Sequence, residues 1–130
     1  MKTLLAALSL FMVTSVFAQT PGKIEHVNAE AFKKLIDGKK GLLIDLRTTD
    51  ELKSKGMIKG ATQIDFLAKD AEAVISKLDH NKTYLIYCAG GGRSGDCADF
   101  MQKQGFTHVV NLEKGFDDWK RKGLETVIPK

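Results

Sequence analysis

TYLIYCAGGGRSGD, residues 83–96, is a β-branched and aromatic run that stops at a cysteine and is followed by three glycines, an arginine and a serine. Residues 83–87 have the composition of a buried strand, and the turn-like Asp79-His80-Asn81-Lys82 precedes them. Residues 94–104 read as a helix closed by Gly105. A strand, a glycine loop and a helix in that order form the repeating unit of α/β folds, whose ligands bind at the carboxyl ends of strands. Cys88 stands at such an end.

The same alternation continues on both sides. Residues 108–112 read as a strand and 116–122 as a helix stopped by Gly123. Upstream, residues 68–78 carry apolar side chains at 71, 74, 75 and 78, the spacing of a helix. Residues 62–66 read as a strand, and 49–55 as a short polar helix followed by Gly56 and Gly60. The apolar run 42–46 suits a strand covered on both faces. Residues 27–38 have an Asn28 cap, an early acid in Glu30, apolar residues at 31, 32, 35 and 36, and a closing Gly38, which predicts a helix. With no repeat and no linker, the pattern predicts one α/β domain of three layers around a mostly parallel sheet.

The start of the chain reads differently. Met1-Lys2 is a short positive segment, residues 4–17 are almost wholly apolar, and Val16 and Ala18 are small residues at the spacing a signal peptidase reads. Residues 1–18 are therefore expected to be a signal peptide, leaving a domain of residues 19–130 in the periplasm or outside the cell. The apolar stretch falls short of the ~20 residues that span a bilayer, and no cysteine marks a lipid anchor, so no stable membrane anchor is expected.

The net charge is +4, and the basic residues are scattered among acids, as on a solvated surface rather than a nucleic-acid footprint. His26, His80 and His108 are far apart, and no Cys-x-x-Cys occurs, so neither a metal nor another cofactor is expected. Cys88 and Cys97 span too short a loop to staple a domain of this size, so its stability must come from a core.

Three chemistries compete for the glycine loop. Residues 90–95 satisfy G-x-G-x-x-G, with Glu113 about the right distance on for a ribose, but only a short stretch follows, whereas the dinucleotide fingerprint opens a βαβαβ half. A phosphate loop of the Walker type fails, because Arg93-Ser94 stands where Gly-Lys-Ser/Thr is required. The third is a cysteine nucleophile. Amides of residues 89–94 and the start of the next helix would face the Cys88 sulfur together, surroundings that in general favour a thiolate. Glycines at 90, 91 and 92 would permit positive φ and keep side chains away from those amides.

Four segments in this order, LIDLRT (43–48), GMIKGA (56–61), YCAGGGRS (87–94) and LEKGFDDW (112–119), resemble the single-domain rhodaneses, and the likeness runs from about residue 24 to 128. The resemblance implies a sheet of about five strands flanked by helices. It also implies a sulfurtransferase in which Cys88 takes sulfane sulfur from thiosulfate or a persulfide and passes it to a thiol, a protein thiol included, or to a cyanide-like acceptor. Ala89, Gly90, Gly91, Gly92, Arg93 and Ser94 would bind the small anionic donor. Arg93 would orient that donor or, equally, form an ion pair that stiffens the loop. A sulfur carrier or binding module without turnover is the alternative. A small cysteine phosphatase or arsenate reductase fits less well, because Cys88 to Arg93 is Cys-x4-Arg, one residue shorter than the related phosphate loops.

Met57 departs from the histidine usual in the family. Asp45 and Arg47 are expected to form a supporting ion pair, and Trp119 to pack in the core with Phe116 and Leu112. Cys97 falls on the apolar face of its helix with Ala98, Phe100 and Met101, which makes it a core residue. A disulfide to Cys88 is the other role open to it.

Overall fold

A computed structural model describes residues 12–15 and 22–130. Most of the expected signal peptide, residues 1–18, lies outside the described residues. Five strands, β1 (Lys23–Val27), β2 (Leu42–Asp45), β3 (Thr62–Gln63), β4 (Thr83–Tyr87) and β5 (His108–Leu112), form one sheet in the order β1-β5-β4-β2-β3. Every strand pair is parallel. The helices are α1 (Ala29–Asp37), α2 (Thr49–Lys55), α3 (Ala71–Ser76), α4 (Gly92–Lys103) and α5 (Gly115–Arg121).

Alternation along the strands divides the core into two layers. Leu43, Leu85, Tyr87, Val110 and Leu112 face one side, where Ala29 and Phe32 of α1 and Phe116 and Trp119 of α5 cover them. Ile44, Tyr84, Ile86 and Val109 face the other, against Ile75 of α3 and Cys97, Ala98 and Met101 of α4. Cys88 continues that second set, so the strand itself aims its sulfur toward α4. The three-layer fold and the core role of Trp119 are as the sequence predicts. Phe32 is wholly buried and meets both Tyr87 and Trp119 edge to face, so truncating it to alanine would cost about 3–5 kcal/mol.

Local signals set the helix starts. The Asn28 side chain accepts from the Ala31 amide at 2.9 Å. Thr48 and Glu51 close a reciprocal capping box on α2.

The structure differs from the sequence reading at three places. β1 has no apolar run and so gives no strand signal, yet it pairs along its whole length with β5. The strand expected at 62–66 pairs only at Thr62 and Gln63, and beyond them the chain bonds to the loop after β2 through Phe66 N to Leu46 O. The helix expected at 68–78 is shortened to α3, because a turn in which the Leu67 amide bonds the Asp65 side chain occupies its start. At Met57, the departure from the family pattern, paired backbone hydrogen bonds to Val127 of 2.7 and 2.8 Å hold the segment whatever the side chain.

Candidate active site

β4 ends at Tyr87, and its carbonyl is taken by the Leu46 amide at 2.9 Å, which fixes the direction in which the chain leaves the sheet. Cys88 follows, 1 % exposed. The chain turns through Ala89 and Gly90 to Gly91, the cap of α4, in the left-handed region at φ 102°. That turn brings the Gly91 amide to 3.1 Å and the Ser94 amide to 3.4 Å from Cys88 Sγ. The thiol donates to Ser94 Oγ at 3.3 Å, and Ser94 Oγ donates in turn to the Gly91 carbonyl. The first α4 amide to reach that same carbonyl is Gly95, at 2.9 Å. The Gly92 and Arg93 amides before it belong to the first turn, whose donors have no partner within the helix.

The outer side of the loop is tied to α5. The Phe116 amide donates to the Cys88 carbonyl at 2.8 Å and the Asp117 amide to the Ala89 carbonyl at 3.0 Å. Such a close approach requires Gly115, at φ 69°.

The three loop glycines are not equivalent, which corrects the expectation that all of them serve positive φ. Only Gly91 has it, and a Cβ there would stand 2.0 Å from the Glu113 carbonyl oxygen. At Gly90 and Gly92 a Cβ would meet nothing within 4 Å. Glu113, the acid a ribose would need, thus enters the site through its backbone.

Arg93 forms an ion pair. Its guanidinium grips the Glu51 carboxylate with two hydrogen bonds of 2.8 and 2.7 Å, both side chains about a quarter exposed. Glu51 Oε2 also accepts from the Thr48 amide at 2.9 Å and hydroxyl at 3.1 Å. Hydrogen bonding from Arg93, reinforced by the Thr48 bonds, outweighs partial burial and holds the Glu51 carboxyl at about 2. Sequence reasoning missed Glu51 at the site. The Thr-x-x-Glu capping pattern was visible, but not its meeting with a side chain 42 positions away.

Beneath the loop, Arg47 and Asp45 are wholly buried and paired, with Arg47 Nε to Asp45 Oδ1 at 3.0 Å and Nη2 to Oδ2 at 2.7 Å. Arg47 Nη2 also reaches the Gly56 carbonyl at 2.8 Å, and its guanidinium lies 4.0 Å from the Phe116 ring centroid. The Tyr87 hydroxyl accepts from the Ile58 amide at 3.0 Å. The supporting role expected for Asp45 and Arg47 is what the geometry shows. They join the ends of β2 and β4 to the segment after α2.

Cys97 is buried in the same core layer as Cys88, and both thiols are free. Burial, with the Cys88 sulfur nearby, pushes its thiol up to about 12. Its place is the core position its helix face implies. Among the described residues no group of His, Cys, Asp and Glu converges to hold a metal.

A strand-end cysteine under a Cys-x4-Arg loop, supported by a buried Asp-Arg pair, is the arrangement to set beside known proteins. Residues 28–122 match the rhodanese-like domain model. This chain belongs to the rhodanese-like family.

Among rhodanese-like relatives, a sulfurtransferase of Allochromatium vinosum is 31 % identical over 107 residues, covering 82 % of this chain and 97 % of that protein. A rhodanese-related protein from Thermoplasma volcanium superposes with a TM-score of 0.70 at 26 % identity, over 81 % of this chain and 99 % of that one. The polysulfide-sulfur transferase homodimer of Wolinella succinogenes gives a TM-score of 0.67 at 26 % identity, over 80 % and 78 % of the two chains. Sulfur transfer is the general chemistry named for the Allochromatium vinosum and Wolinella succinogenes relatives.

Proposed function

We propose that this rhodanese-like protein is a sulfurtransferase that carries sulfane sulfur on Cys88. The observation that carries this reading is the pair of amide hydrogen bonds from Gly91 and Ser94 to Cys88 Sγ at the start of α4. In the first step the Cys88 thiolate attacks the outer sulfur of the donor. With thiosulfate the donor S–S bond breaks, sulfite leaves with its electron pair, and Cys88 becomes a persulfide anion. With an organic persulfide R–S–SH, the thiolate R–S⁻ leaves and Cys88 becomes a persulfide that keeps the proton. In the second step an acceptor thiolate or cyanide attacks the outer sulfur and the Cys88 thiolate is the leaving group, so one difficult transfer becomes two easier ones. Amides of residues 89–94 would hold the negative sulfur in both steps.

Steady-state turnover with cyanide or a small thiol separates a catalyst from a carrier, which loads once. On the strength of residues 1–18 the protein is assigned to the periplasm or the exterior. No helix of the described residues is long and apolar enough to cross a membrane.

Intact-mass measurement after incubation with thiosulfate or an organic persulfide tests the reading. Wild type should gain one sulfur that cyanide removes, and Cys88→Ser should gain none. Absence of any gain from reduced wild-type protein with every sulfane donor overturns the assignment.

A further inference from the structure

We propose that Glu51 sets donor selectivity: by pinning Arg93 at the rim of the loop, it turns the site against dianionic donors such as thiosulfate and toward singly charged or neutral persulfides. This rests on the sulfurtransferase reading. Arg93 is the only cation in the loop of residues 88–94, and both faces of its fork are spent on the Glu51 carboxylate. A bidentate Arg–carboxylate pair is among the strongest ionic contacts a protein makes, and it leaves little positive potential for a third party. The Arg93–Glu51 pair carries no net charge, so an approaching dianion meets a neutral mouth rather than a free cation. The Glu51 carboxyl, held at about 2, stays ionised at every pH at which the protein would work.

The shape of the mouth agrees. At Gly90 and Gly92 space is open beyond the backbone, and neither φ requires glycine. The backbone therefore does not explain these two glycines. Their effect is a bare rim, open beyond the backbone at both positions and carrying no side chain that would seek a small anion.

Glu51→Gln is a discriminating variant, because glutamine also serves at this position of a capping box and so keeps α2 capped while removing the charge. The readout is the ratio of second-order loading rates of Cys88 by thiosulfate and by glutathione persulfide, followed by intact mass. Freeing the Arg93 charge should raise the thiosulfate-to-persulfide ratio by roughly tenfold. A ratio that stays the same or falls overturns the proposal. Wild type supplies an independent measurement. Its thiosulfate loading should stay flat or rise as salt screens the rim, whereas a steep fall with salt would mean that a free Arg93 attracts the dianion and the proposal is wrong. No sulfur gained by wild type from any donor removes the transfer reading and this inference together. Loading with an unmoved ratio removes this inference alone.

Discussion

A Cβ on Gly115 would stand 2.3 Å from the carbonyl oxygen of Ala89, closer than non-bonded atoms come. The residue after the cysteine and the first residue of α5 are therefore in direct backbone contact, and the loop's shape depends on an element that follows it by a whole strand.

Gly115→Ala and Gly91→Ala should each lose more than ~2 kcal/mol of stability, since both need positive φ and both Cβ atoms would run into backbone. Gly90→Ala should be neutral or gain up to ~1 kcal/mol. Urea unfolding of the three variants checks this, and equal effects at 90 and 91 would contradict the loop geometry.

The buried pair predicts a non-additive cycle. Asp45→Asn alone leaves the Arg47 charge without its partner in the interior and should cost about 3–5 kcal/mol. Arg47→Met combined with Asp45→Asn should cost clearly less than the two single changes added together, because neither charge is then stranded. Chemical denaturation of all four proteins gives the coupling.

Glu51 predicts an acid limb of stability. Its carboxyl sits at about 2 in the folded protein against an ordinary 4.5, so the folded state holds the proton less tightly than the unfolded one. The stabilisation is complete above about 4.5 and is lost as pH falls from there toward about 2. Thermal unfolding of Glu51→Gln against pH should lack this component, and identical profiles for variant and wild type would count against the pair.

Cys97 should be chemically silent. With its thiol pushed up to about 12 and its side chain in the core, it should resist alkylation at pH 8 until denaturant is added. Cys97→Ala should still load one sulfur on Cys88 and lose about 1 kcal/mol of stability. If loading instead disappears in that variant, Cys97 takes part in the chemistry.

The chain's own periodicity decided the alternation of strands and helices, the position of Cys88 at a strand end, and the core role of Cys97, because these follow from neighbours within one turn or one pleat. A local signal also marked Asn28 as a cap. What had no local signal was β1, whose half-exposed residues become a strand only because β5 offers a parallel edge. The same holds for the loop. Three adjacent glycines look alike in sequence, and only the Glu113 carbonyl beyond β5 distinguishes Gly91 from its neighbours. Arg93 was legible as a loop cation, but its choice of Glu51 depended on packing α2 beside the start of α4. Residue types and spacing within a segment are thus set by short-range sterics and hydrogen bonding. The partner that cancels a charge, and the carbonyl that forbids a side chain, come from segments far along the chain, and only the assembled sheet decided which ones they are.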